Sequence, residues 1–196
     1  MTPVPRFMTL FLAASLAPGV AGAGDRVLRA ELDLPVLPAA AFEAWSTEAG
    51  VRSFFAPGAN IEPRVDGAYE ILFFPDAPAG QRGAEGQHVL AFEPPRRLAF
   101  TWNAPPSIPE VRGQHTVVVV EFEPLDAGRT RLRFSHGGWG EGPAWDKAYD
   151  YFDHAWSAVV LPRLVHRFAH GPLDWKNRLE LAPVAATLKR ELIERP

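Results

Sequence analysis

The polar and apolar positions of this chain change rhythm several times, and each change predicts an element. From Val27 to Leu34 they alternate: Val27, Arg29, Glu31 and Asp33 against Leu28, Ala30, Leu32 and Leu34. A period of two predicts a strand with one face in water and the other on a core. Pro38 to Trp45 predicts a helix, with proline in the first turn, where no amide donor is needed, and Phe42 and Trp45 on one face. Gly50 is expected to break it, and Val51–Phe55 to form a second short helix or turn.

A series of strands follows. They are expected over Ala59–Val65, Ala68–Phe74, Glu85–Glu93, Arg97–Asn103, Gln114–Glu123 and Thr130–His136. Asp66-Gly67 predicts a tight hairpin turn between the first two, and residues 75–83 and 104–113 predict loops. Parity groups Tyr69, Ile71 and Phe73; His88, Leu90 and Phe92; Leu98, Phe100 and Trp102; and Thr130, Leu132, Phe134 and His136. Arg129, Arg131 and Arg133 fall on the opposite face of the last strand, where they are expected to discourage edge pairing.

The rhythm then becomes helical. From Pro143 to Phe168, Trp145, Phe152, Trp156 and Val159 share one face, and Asp146, Asp150, Asp153, His154 and Ser157 the other. Pro162 is expected to kink or interrupt this helix, because it cannot donate to the carbonyl of Ala158. Beyond Gly171-Pro172 the tail has a weaker stripe of Leu181, Val184, Leu188 and Leu192. Hairpin-linked strands form an antiparallel sheet, and one long helix can bury its apolar face only if that sheet curls around it. The fold class is therefore α+β: a helix-grip fold, with a curled antiparallel sheet of about six or seven strands around a long C-terminal helix.

Composition changes this picture at two points. Met1–Arg6 carries one positive charge, Phe7–Leu16 is apolar, and Ala21-Gly22-Ala23 is a small-residue cleavage site. Residues 1–23 thus read as a secretory signal peptide, leaving a domain at 24–171 and an extension with an amphipathic helix at 172–196. The mature chain is expected in the periplasm or secreted, with no stable membrane span, since the apolar run is too short for one. The formal net charge of −3, more negative once Arg6 is removed, argues against nucleic acid as the partner. The absence of cysteine excludes disulfides, thiolate metal sites and cysteine nucleophiles.

Several segments resemble a known family. Ala41-Phe-Glu-Ala-Trp45 is similar to its first helix, and Phe54-Phe-Ala-Pro57 to its helix-to-strand junction. Pro94-Pro-Arg-Arg-Leu-Ala-Phe-Thr-Trp102 resembles its central hairpin, and His136-Gly-Gly-Trp-Gly-Glu-Gly with Tyr151-Phe-Asp-His-Ala-Trp156 its last helix. In this order, over residues 27–170, they resemble the START-like SRPBCC superfamily, and within it the branch of the heat-shock ATPase activator C-terminal domain. The resemblance implies a cavity between sheet and long helix. Members bind lipids, hormones and polyketides; a minority are cyclases or hydrolases, and one branch stimulates a chaperone ATPase.

The expected ligand-binding residues are Phe73, Trp102, His136, Trp145, Phe152 and Trp156, around a small hydrophobic molecule or lipid. The same aromatics could instead fill a core. His136, at the end of an apolar strand face, could hydrogen-bond a ligand, act as a general base, or satisfy backbone groups; His88 is similar. Asp146, Asp150 and His154 share a helix face but lack further ligands, so no metal is expected and a solvated face is. No Gly-x-Ser-x-Gly, P-loop or His-Glu-x-x-His pattern occurs, and no cofactor is expected. Three functions remain open: a hydrophobic-ligand binder, an enzyme of cyclase or hydrolase type on an aromatic or polyketide-like substrate, and a module that docks a protein partner through the tail.

Overall fold

The computed structural model describes residues 26–177. The expected signal peptide and the tail stripe Leu181–Leu192 lie outside the described residues. Strand β1 (Leu28–Leu34) leads into helices α1 (Pro38–Ser46) and α2 (Glu48–Arg52). Strands β2 (Gly58–Ile61), β3 (Tyr69–Leu72), β4 (Gly83–Ala84), β5 (Val89–Glu93) and β6 (Arg97–Asn103) follow, then helix α3 (Pro109–Arg112) and strands β7 (His115–Asp126) and β8 (Arg129–Gly137). The last helix runs from α4 (Pro143–His154) through a π-helical segment (Ala155–Val160) into α5 (Leu161–His170).

The strands form two antiparallel sheets, ordered β1-β8-β7-β6-β5 and β2-β3-β4. The connecting residues Gln87 and His88 bridge them, accepting from Tyr69 N (2.8 Å) in the small sheet and from Thr101 N (3.0 Å) in the large one. The predicted strand Glu85–Glu93 is shortened to Val89–Glu93, and ahead of it Gly86 takes a left-handed φ of 71° where the chain passes from one sheet to the other. Within β5 the register slips between Val89 and Ala91. The expected inward set His88, Leu90, Phe92 therefore holds only at Phe92, which packs on Phe42 at 5.4 Å; before the slip Val89 is buried and Leu90 exposed, since one extra residue reverses strand parity. The other three parity groups do face inward, although Phe73 is half-buried.

Three local expectations are corrected by backbone chemistry. The first helix ends at Thr47, whose Oγ1 caps α2 by accepting from Gly50 N at 3.0 Å. Gly50 lies inside α2, where a Cβ would meet the Glu43 carbonyl oxygen at 2.3 Å. Asp66-Gly67 is not a two-residue hairpin; β2 stops at Ile61, ahead of Pro63, and the wider loop closes through Glu62 N to Ala68 O at 2.9 Å. The arginine stripe does not guard an edge. β8 lies between β1 and β7, and its arginines reach both neighbours: Arg131 to Asp33 (2.9 Å), and Arg133 to Glu31 (2.9 Å) and to Glu123. The hydrogen bond from Arg131 holds the Asp33 carboxyl below its ordinary pKa.

The long helix passes Pro162 without breaking. The residues before it widen the turn, and Leu161 N bonds to Trp156 O, five residues back. At 3.6 residues per turn, side chains spaced by four drift about 40° per step. The wider turn offsets that drift, so Phe152, Trp156, Val160 and Leu164 all stay buried on the sheet side. Val160, not the expected Val159, continues the face.

Gly50→Ala should destabilise the protein by about 1–3 kcal/mol, the usual cost of forcing an atom into packed space. Urea unfolding measures this, and an unchanged midpoint would contradict the close approach of α1 and α2. Arg131→Ala should barely move the same midpoint, because its partner is solvent-exposed.

Candidate functional site

A cavity of about 550 Å³ opens between the small sheet, the end of β6 and the long helix. The apolar lining comes from Phe55 after α2, Phe73 after β3, Trp102 on β6, and Phe152, Trp156 and Val160 on the helix. These rings also pack on one another. Phe55 stacks on Trp102 at 5.7 Å and meets Trp156 edge-on at 5.5 Å, and Trp102 lies 5.6 Å from Trp156. Behind them Trp45, Phe54 and Phe134 complete the core. The aromatics thus do both things open to them: they fill a core and leave one side of it as a cavity wall.

Four of the six predicted site residues, Phe73, Trp102, Phe152 and Trp156, come together on this lining. Trp145 does not reach it. Its indole covers the turn before α4, so close to Gly140 that a Cβ there would meet Nε1 at 2.2 Å. His136 does not reach it either. It is fully buried one layer behind, with both ring nitrogens bonded. Trp156 Nε1–H donates to Nδ1 at 2.9 Å, which places the ring proton on Nε2. Nε2–H then donates to Thr116 Oγ1 at 2.7 Å, and the Thr116 hydroxyl donates to the Trp102 carbonyl at 3.2 Å. His136 therefore has neither a lone pair nor an N–H for a reactant, and it holds Trp156 and Trp102 in place. Burial pushes its pKa well below the ordinary 6.5. His88 is half-buried, 6.2 Å from His115 and not on the cavity lining.

The polar part of the lining was not foreseen. It includes Gln81, Asn103, Ser107, Arg112, Tyr151, His154 and Arg163. Arg112 ties the rim together by donating to the carbonyls of Ala104, Gly80 (3.0 Å) and Gly83 (2.7 Å). It thereby joins loop 75–83 to loop 104–113. Glu85 fixes the same rim by accepting from Gly80 N, Arg82 N and Arg82 Nε. Phe74, 68% exposed, and Tyr151, 45% exposed, stand at the mouth. Arg163 could have been suspected, as the single charge in the apolar run Ala155–Val165. Arg112 could not, because it is lost in a proline-rich loop. Asp146 and Asp150 are exposed as expected, and Asp146 pairs with Arg26 at 2.8 Å. No cluster of metal-ligating side chains occurs among the described residues.

The His136 network has a pH signature. Between its depressed folded-state pKa and the unfolded value of 6.5, only the unfolded chain takes up the proton. Stability should therefore be full above pH 6.5 and fall as pH drops below it, with a contribution of at most about 1.4 kcal/mol per pH unit. His136→Gln should flatten that slope in urea titrations between pH 7.5 and 5.5, whatever it does to absolute stability. Equal slopes in the two proteins would contradict the assignment.

Comparison with known proteins agrees with this architecture. No curated protein sequence matches the chain. Among solved structures it is similar to protein MLL2253 from Mesorhizobium loti, at 22% identity and a TM-score of 0.59, covering 76% of this chain and 100% of that one. It is also similar to PFC0360w, an HSP90 activator from Plasmodium falciparum (15%, 0.56, 76% and 98%), and to the Aha1 dimer from Colwellia psychrerythraea (17%, 0.56, 74% and 97%). At these identities the likeness shows the fold. Residues 35–169 match the family described as Activator of Hsp90 ATPase homolog 1-like protein, and the chain belongs to that family.

Proposed function

We propose that this protein is an exported carrier or sensor of a small hydrophobic or amphipathic molecule, held between the small sheet and the long helix. The observation that carries the reading is the cavity of about 550 Å³ walled by Phe55, Phe73, Trp102, Phe152, Trp156 and Val160. Its volume and its apolar lining with a few polar groups are those of a small-molecule site. Each 100 Å² of apolar ligand surface buried there contributes about 2.5 kcal/mol. Trp102 Nε1 and Asn103 Oδ1, on two lining residues, are buried without partners, so a small shift would let an occupant's polar atom satisfy them.

Export rests on the leader-like pattern of residues 1–23. No helix among the described residues is long and apolar enough to cross a membrane. An exported chain is separated from any cytosolic chaperone, so ATPase activation is not its function in this reading.

Two measurements test the proposal independently. Protein purified natively should carry a hydrophobic small molecule detectable by mass spectrometry, and Ala155→Phe, which fills the cavity from its helical wall, should release it while the fold is kept. Recovery of the same molecules from both proteins would defeat the cavity assignment. Intact mass of the chain from an extracytoplasmic fraction should show loss of residues 1–23; a full-length chain confined to the cytoplasm would refute export and leave the cavity untouched.

A further inference from the structure

The charge of the cavity lining differs from that of the protein. The chain has 23 acidic and 20 basic residues, yet its cavity is lined by Arg112, Arg163 and His154 and by no carboxylate. The two arginines differ in what they already hold. Arg112 is bonded to three rim carbonyls; burial pulls its pKa below the ordinary value, and the nearby charge of Glu85 offsets part of that. Its charge is largely answered within the protein.

Arg163 is not answered in this way. It sits on α5, one residue after Pro162 and three after the lining residue Val160. Its guanidinium makes no ion pair among the described residues; its contact is with the face of the Trp175 ring, 5.3 Å to the centroid. That contact orients the group without neutralising it. Burial alone acts on it, pulling its pKa below the ordinary value with no carboxylate to raise it again. A half-buried cation beside an apolar cavity is costly, and an anion brought to it would recover more than the same pair formed in water. The nearest chemistry inside the cavity is aromatic and aliphatic, so the anion must be attached to an apolar body.

We infer that the cavity selects an anionic amphiphile, a carboxylate on an aliphatic or aromatic body, with the carboxylate at the guanidinium of Arg163 and the body against Trp102, Phe152 and Trp156. This rests on the cavity reading above and adds the sign and the position of the headgroup. Tyr151 and His154 line the same cavity from the same helix, more than two turns before Arg163. A fork of parallel N–H donors suits a carboxylate better than it suits a hydroxyl or an ester.

The test uses the full 196-residue chain and three probes with one tail: dodecanoate, dodecan-1-ol and dodecyltrimethylammonium, titrated at pH 7.5 below their aggregation concentrations. Dodecanoate should bind at least ten-fold more tightly than dodecan-1-ol, and the ammonium probe most weakly. Raising salt should narrow the gap between dodecanoate and the alcohol. Arg163→Gln should reduce the carboxylate preference to less than three-fold, chiefly by weakening dodecanoate, and Arg163→Lys should retain part of it. Equal or tighter binding of the alcohol to the wild-type chain overturns the headgroup assignment while the cavity reading stands. Failure of all three probes to bind overturns both. Should Arg163→Gln not fold, the wild-type probe ratio and its salt dependence decide alone.

Discussion

A relay of three hydrogen bonds, Trp156 to His136 to Thr116 to the Trp102 carbonyl, fixes the relation between helix and sheet. It crosses from the helix to β8, then β7, then β6, and each step leaves a fully or nearly fully buried group satisfied. Inside a low-dielectric core such a chain is worth making only when it is complete, because one missing partner strands a buried polar atom. Completion demands one tautomer of the imidazole and one distance between helix and sheet. Hydrophobic contact alone specifies neither.

The cavity follows from that spacing. Trp102 and Trp156 are the ends of the relay and also two of the cavity walls, so the polar network sets the separation of the apolar surfaces. Phe55 packs against both. The rim is fixed separately, by Arg112 and Glu85 acting on backbone groups of the loops 75–83 and 104–113. Wall and rim thus use different chemistry. Buried hydrogen bonds hold the wall, and charge-assisted bonds to carbonyls and amides hold the mouth.

Much of this could be read from residue order. The alternation in Val27–Leu34, Arg97–Asn103 and Thr130–His136 located strands and their inward faces, because burial on one side forces period two. Four of the six expected lining residues meet for the same reason. What failed was whatever depends on a single residue's backbone or on a distant pairing. The slip at Leu90 turned His88 and Leu90 off the inward face and left Phe92 on it. The wide turn at Ala155–Val160 moved the helical stripe from Val159 to Val160. The arginines of β8 looked like edge residues because nothing local tells that β1 returns to pair with β8 across the whole chain. His136 was placed on the right face with three tasks left open, since the sequence cannot show Thr116 and Trp156 taking both of its nitrogens.

The wide turn at Ala155–Val160 has a further consequence for how this helix can vary. It holds one residue more than an α-helix would need to cover the same arc, and it lies between two stretches already committed to the sheet. Winding the same residues as an ordinary α-helix would carry the chain too far round and turn everything downstream by about 100°. Leu164 would leave the core and Arg163 would leave the mouth together. The wide winding of this short segment, more than the identity of its side chains, is what keeps the two halves of the helix in phase.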